Sequence, residues 1–402
     1  MAIKHYQLCS TNEQLKPVAV QPGIAVDRFA RKIVGILTGD SSALAATECQ
    51  PVGRHPSATQ QKRGIFVAFL ACSLNLPGVS FILFDVAMMD AAHMEAARNH
   101  ILLKYHVSPD ARLSRGMEAE VYAYAPDTVL KLYVGTTSLT DLLILQDFYN
   151  SLDRQLVPYA LPYIHTVTQE DHFLITIEQR LAGTRMSAVL PKLTADQLGA
   201  MMQRYLTAAL AISHIPAPPA FERYKLFDPE HLSDRISGDW HQFLVRYLTH
   251  KLAQVTPHLS RDVPQFAEKV QRLRTILDQP YRDDYRLIHG DFFPGNLLIN
   301  DEHQITALLD FGLLTMYGDY LFDIATGWVF FDMYDELKAQ AREQYLAMLL
   351  DRLGKYVRGK LYRYVLIYSI LSANTYSSNC ADGHYYWCVA NLSNTHYWNE
   401  IE

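Results

Sequence analysis

The 402-residue sequence predicts an α+β chain whose strands and helices fall in separate stretches. Two observations predict it. Short β-prone runs occupy Leu113–Tyr133, Phe173–Ile177 and the span from Tyr285 to Leu309. Apolar residues at helical spacing recur through the segments that follow Thr194.

From the N-terminus, residues 1–63 hold scattered Gly, Pro, Ser and Thr with little periodicity. Gly64–Phe84 then carries no charge and follows Lys62-Arg63. Its length would suffice for a membrane span, which needs about 20 apolar residues. Ser73, Asn75, Pro77, Gly78 and Ser80 interrupt it, and Asn75–Gly78 reads as a turn between Ile65–Leu74 and Val79–Val86. A buried hairpin or docked segment is the favoured expectation, with a membrane-tethered protein as the alternative. The extreme N-terminus has no apolar run, so no cleavable signal is expected. Residues 1–97 are read as an extension of unassigned role, 98–180 as a small strand-rich lobe and 181–402 as a helical lobe.

In the helical part, Thr194 can cap a helix running to about Ile215. Leu198, Met202, Tyr205, Ala209 and Ile212 give it one apolar face, and Pro216, Pro218 and Pro219 end it. Further helices are expected near Trp240–Val255, Val263–Leu277 and Tyr334–Leu353. The last forty residues are rich in Tyr and Trp, read chiefly as core packing. Gly354–Lys360 reads GKYVRGK, the first seven positions of a P-loop, but Leu361 replaces the required Ser or Thr. It is read as a solvated helix end.

The most informative segment is 289–312, HGDFFPGNLLINDEHQITALLDFG. Tyr285–Ile288 forms a short strand ending at His289-Gly290. Pro294-Gly295 turns the chain, Leu297–Ile299 makes a second strand, and Ile305–Leu309 returns through Asn300–Gln304. This arrangement brings Asn296 close to Asp310. Phosphoryl transfer asks a protein for an acceptor hydroxyl aimed at the γ-phosphoryl group and for cations that absorb charge there. Asp291, Asn296 and Asp310 supply one hydroxyl-orienting carboxylate and two oxygen ligands suited to Mg2+.

His289, Gly290, Asp291, Asn296, Asp310 and the later GDYLFDIA (Gly318–Ala325) resemble the aminoglycoside phosphotransferase and choline kinase family. The resemblance covers about the last three quarters of the chain. It implies a bilobal protein-kinase-like fold, a small antiparallel N-lobe and a larger helical C-lobe. It implies Asp291 as catalytic base, Asn296 and Asp310 as magnesium ligands, and ATP, or GTP, as phosphoryl donor. By the same resemblance Gly116 in LSRGMEAEVY lets the backbone approach the nucleotide, and Lys131 reaches its phosphates. Backbone groups of Glu178, Gln179, Arg180 and Leu181 would bind adenine. Asp319 and Asp323 would stabilise the lobe or face the acceptor, with helix capping near Leu321 the plainer reading.

Departures from protein kinases point to the acceptor. Gly290 stands where protein kinases carry the Arg that answers to a phosphorylated activation loop, and no Ala-Pro-Glu follows Asp310. A small-molecule hydroxyl acceptor is therefore expected. One element of the pattern is missing: Thr137–Leu156 contains no Glu to pair with Lys131, leaving Asp141, Asp147 and the neutral Gln146. That gap motivates an alternative, a catalytically weak nucleotide-binding protein.

A formal charge of −6 argues against nucleic acid as partner. Five scattered Cys do not form a disulfide framework and suit a reducing cytoplasm. Cys380, His384 and Cys388 match no standard zinc spacing.

Overall fold

The computed structural model describes residues 94–402, apart from 117–118, 134–136, 220, 229–230, 233–237, 313, 332–339 and 402. The chain divides into two units, Met1–Glu95 and Ala96–Glu402. The Gly64–Phe84 stretch and the rest of residues 1–93 lie outside the described residues. Among the described residues, no helix is long and apolar enough to cross a membrane. The fold of the second unit is α+β and protein-kinase-like: an antiparallel sheet near its start and a mainly helical remainder.

Helix α1 spans residues 94–104. Strands β1 (Arg112–Arg115), β2 (Ala119–Ala125) and β3 (Thr128–Tyr133) follow. Then come helix α2 (Leu139–Ser151) and the hairpin β4 (Ile164–Glu170) and β5 (Phe173–Gln179). The five strands pair antiparallel in the order β1-β2-β3-β5-β4. Period-two alternation gives the sheet two faces. One face carries Glu120, Tyr122, Leu130, Leu132 and Ile175, and α1 lies across it. There Arg98 pairs with Glu120 at 3.5 Å, and Tyr105 donates to Glu170 at 2.8 Å. The opposite face carries Tyr133, Lys131, Thr176 and Glu178 and packs on α2, through Ala119, Tyr133, Leu142 and Leu174. Ser138 and Asp141 form a capping box at the start of α2. Gln146 and Asn150 bond the Ile164 carbonyl, which pins α2 to β4.

The connection into the helical part is β6 (Thr184–Arg185), paired with β8 (Leu297–Ile299), which pairs in turn with β9 (Ile305–Leu308). Between them lie α3 (Met186–Val189), α4 (Ala195–Ile212), α5 (Trp240–Asp262), α6 (Phe266–Leu277) and β7 (Arg286–Ile288). After β9 come β10 (Met316–Gly318), which pairs with β7, and helices α7 (Leu321–Phe330), α8 (Gln340–Leu353), α9 (Arg358–Leu371), α10 (Gly383–Ser393) and α11 (Thr395–Asn399). Thr194 and Gln197 close a capping box on α4, so the expected helix forms, ending three residues earlier than read.

Every residue of α7 is buried, as an all-round apolar helix requires. Phe322 and Val329 of α7, and Phe331 just after it, are fully buried in one core with α9 residues Tyr364, Val365 and Ile367. Each such side chain contributes about 1.5–3 kcal/mol by leaving water. Most C-terminal aromatics are core: Tyr362, Tyr364, Tyr368, Tyr385, Tyr397 and Trp398 are buried, while Tyr376 and Tyr386 are exposed. The GKYVRGK reading changes in one respect. Gly354 ends α8 with φ +92°, as a helix end should. Lys360, however, is not a solvated charge. It pairs with Asp319 at 2.5 Å and Asp283 at 3.0 Å.

Candidate active site

Lys131 lies on the central strand β3, opposite Thr176 of β5. Its ammonium is 2.9 Å from Glu178 Oε2 and 3.7 Å from Asp310 Oδ1. Thr176 Oγ1 donates to the other Glu178 oxygen at 2.6 Å. Burial works against the Lys131 charge, but Glu178, Tyr133 and Asp310 outweigh it and hold the ammonium well above its ordinary pKa. The acid expected from α2 is therefore supplied by the sheet. Asp141 is turned to its capping box, Gln146 bonds the β4 backbone, and Asp147 is exposed. Sequence reasoning assigned Glu178 only a backbone role. The alternation in FLITIEQ, which puts Thr176 and Glu178 on one face, was the available signal for its side chain.

The loop carrying Asp291 leaves β7 at His289. Gly290 has φ +77°, and a side chain there would overlap the Leu314 backbone. Only glycine satisfies both demands. Asp323 on α7 accepts from the His289 and Gly290 amides, each at 3.0 Å. Thr315 Oγ1 donates to the His289 carbonyl at 2.9 Å. His289 uses both ring nitrogens: Nε2 bonds the Leu309 carbonyl at 2.8 Å, and Nδ1 accepts from the Asp291 amide at 3.3 Å. Burial lowers its pKa to about 4, so the ring is neutral at physiological pH. Tyr205 of α4 donates to Phe292 O and Gly327 O at 3.0 Å each, tying the loop to α7.

Asn296 Nδ2 donates to Asp291 O and Asp291 Oδ2, both at 3.0 Å. The amide oxygen of Asn296 is then left for another partner. Leu309 N donates to the Asn296 carbonyl at 2.7 Å, so Asn296 adjoins the residue before Asp310, as the strand reading required. Burial raises the Asp291 carboxyl to about 7, although the Asn296 hydrogen bond opposes this. Asp310 is exposed and holds a left-handed backbone with φ 36°, a conformation seen where a site stores strain.

The Asp310-Phe311-Gly312 run is anchored by rings. Phe311 packs on Phe148 (5.3 Å) and Tyr149 (5.6 Å) of α2 and on His289 (4.4 Å). Its amide donates to Tyr149 OH at 3.3 Å. A side chain at Gly312 would press on Asp291 Cβ at 3.2 Å. The loop of Asp291 and the Asp310–Gly312 run are thus packed directly together. Neither Tyr149 nor Asp323 was assigned these contacts from sequence.

A divalent cation fits the donor set. Asp310 offers carboxylate oxygens and Asn296 an amide oxygen, the hard ligands Mg2+ takes. Among the described residues, no group of three His, Cys, Asp or Glu could hold a metal alone. An octahedral ion here would need oxygens from elsewhere, as when phosphates complete the shell. Cys380 and Cys388 are buried free thiols, and His384 bonds Ser372.

After β5, Gln179 N donates to Tyr163 O and Arg180 N to Asp127 O. Of the backbone groups expected to face a nucleobase, those two amides are engaged within the protein and Glu178 is paired in the ladder opposite Val129, which leaves the Leu181 amide and the Gln179 carbonyl. Gly116 N donates to Ala119 O at 2.8 Å, and a side chain at Gly116 would meet that oxygen at 3.4 Å, an ordinary contact. The fold itself does not demand glycine there.

The sequence profile of the phosphotransferase enzyme family (APH) matches residues 111–362. No curated protein sequence matches the chain. Among solved structures, an ADP-bound aminoglycoside phosphotransferase, APH(2'')-Ib, is similar with TM-score 0.52 and 14% identity, over 76% of this chain and 98% of its own. APH(2'')-IIa in complex with gentamicin is similar with TM-score 0.54 and 16% identity, over the same shares of 76% and 98%. At these identities the likeness concerns the fold.

Proposed function

Because the chain belongs to the phosphotransferase enzyme family, we propose that it transfers the γ-phosphoryl group of ATP, or of GTP, to a hydroxyl of a small molecule. One observation carries the reading. Asp291, hydrogen-bonded by Asn296, lies against Gly312 of the Asp310 run, and Asp310 in turn lies 3.7 Å from Lys131. The residues proposed as base, oxygen ligands and phosphate-seeking cation are thus neighbours.

In this mechanism Lys131 holds the α- and β-phosphates, and the turn at Gly116 lies over them. The Leu181 amide and the Gln179 carbonyl, next to Glu178, meet the base. Asn296 and Asp310 would hold Mg2+, which would supply positive charge to offset the charge developing on the transferred group. Asp291 orients the acceptor hydroxyl and takes its proton as the oxygen bonds to the γ-phosphorus and the bond to the leaving ADP oxygen breaks. A carboxyl poised near 7 suits that task. The acceptor belongs to the range of amino sugars, macrolides, sugars and amino alcohols. The weakly catalytic alternative rested on the lack of an acid beside Lys131, and Glu178 fills that place.

The test is a screen with labelled ATP over amino-sugar, macrolide, polyol and amino-alcohol panels, run beside Asp291→Asn. Label should pass to one class with wild type and to none with the variant, while the variant still binds nucleotide. Equal turnover by Asp291→Asn would overturn the assignment.

A further inference from the structure

We propose that Glu178 is the positioning residue for Lys131 and takes the place of an acid on α2, so that the phosphate clamp is built inside one sheet. The inference rests on the phosphotransferase reading of the site and adds to it the residue that aims the clamp.

The geometry is specific. β3 and β5 are paired in register from Thr128↔Gln179 to Tyr133↔Leu174, with Lys131 opposite Thr176 and Val129 opposite Glu178. Lys131 and Glu178 are therefore diagonal neighbours on one face, a separation that long side chains bridge. The Glu178 carboxylate is fixed before any nucleotide arrives. Oε1 accepts from Thr176 at 2.6 Å and lies 3.5 Å from the Tyr133 hydroxyl. Oε2 is then free to face Lys131 at 2.9 Å. Glu178 is buried, so its charge needs that partner.

Helix α2 offers no competitor. Its acids are Asp141, spent on the Ser138 cap, and the exposed Asp147. The residues it turns toward the site are rings, Phe148 and Tyr149, which meet Phe311. The helix therefore supports the segment of Asp310, and the sheet supports Lys131. The two halves of the phosphate site are held by different elements.

Isothermal titration of the full chain with Mg·ATP, Mg·ADP and adenosine separates this role from a merely structural one. Glu178→Gln should weaken Mg·ATP and Mg·ADP about tenfold or more, because a mis-aimed ammonium costs phosphate contacts. Adenosine, which has no phosphate, should bind within about twofold of wild type, and that binding also reports that the variant is folded. Glu178→Asp should recover part of the loss. Asp141→Asn and Asp147→Asn should bind Mg·ATP as wild type does. The proposal is overturned if adenosine weakens in parallel, or if Asp147→Asn loses Mg·ATP as Glu178→Gln was expected to. Wild-type protein that binds neither ATP nor adenosine would remove the phosphotransferase reading as well. Wild-type binding with an unaffected Glu178→Gln would remove this inference alone.

Discussion

Asp323, on a helix whose ten residues are all buried, holds the amides of both His289 and Gly290 at 3.0 Å. One carboxylate thereby fixes the two peptides that precede Asp291. Replacing Asp323 by Asn presents an NH2 group to one of those amides and leaves it without an acceptor. An orphaned buried donor costs about 1–3 kcal/mol. Asp323→Asn should lower the melting temperature by several degrees and cut kcat at least tenfold, with little change in the affinity for nucleotide. An unchanged kcat would show that the loop holds its shape without this carboxylate.

Asp291 makes stability depend on pH in a defined direction. Its carboxyl is raised from an unfolded value of about 3.9 to about 7 in the fold. A raised folded value means that the protonated form suits the folded state. The contribution is fully present below about pH 4 and is lost as pH rises through about 7. Asn at 291 removes the buried charge. The melting temperature of Asp291→Asn relative to wild type should therefore rise steadily from pH 5 to pH 8, in buffer without nucleotide or magnesium. A constant difference across that range would contradict the burial of a titrating carboxyl here.

Gly290 should tolerate no side chain. Gly290→Ala combines a left-handed backbone with overlap on Leu314. Differential scanning calorimetry should show destabilisation of more than about 1 kcal/mol, and transfer should fall with it. Gly116→Ala should fold normally, since its added methyl meets only an ordinary contact. If it loses activity, the loss reports nucleotide approach rather than folding.

Glu120 is buried beneath three arginines: Arg98 at 3.5 Å, Arg115 at 3.4 Å and Arg112 at 3.8 Å. Tyr122 OH also donates to it at 2.5 Å. The network is asymmetric, because one carboxylate serves several cations. Removing one cation leaves others, whereas removing the anion takes the shared partner from all three and from the Tyr122 hydroxyl, with Arg98 the most shielded of the arginines at 16% exposure. Arg98→Ala should cost about 1 kcal/mol or less, and Glu120→Ala about 1–3 kcal/mol, the cost of leaving the Tyr122 hydroxyl and Arg98 without their acceptor, in urea unfolding. Equal costs would mean that the arginines act independently.

Much of the site was legible because its signals are local. Asp291 and Asn296 lie five positions apart, in a loop whose turn residues Pro294 and Gly295 are visible in the sequence. The return strand to Asp310 follows within the same segment. Thr194 announced its helix in the same way, while its capping-box partner Gln197 came only with the structure. The partner of Lys131 was not legible by such means. It depends on the register between two strands far apart in sequence, which no spacing rule reports. Lys360 was misread for a related reason. Its neighbours look like a basic helix end, and only the packing of α9 brings Asp319 and Asp283 to it. Asp319 and Asp323 divided between the two readings given for them. Asp319 bonds the Leu321 amide at the start of α7, and Asp323 braces the loop.

The separation of Lys131 from α2 has a pharmacological consequence. A compound that wedges α2 outward finds no ion pair there to break. It would instead pull Phe148 and Tyr149 from Phe311 and disturb the seat of Asp310. On the proposed reading, such an inhibitor would leave the Lys131–Glu178 pair intact and act through Asp310, so its inhibition should be relieved less by raising ATP than by raising magnesium. Competition with ATP would instead be the signature of compounds aimed at the sheet.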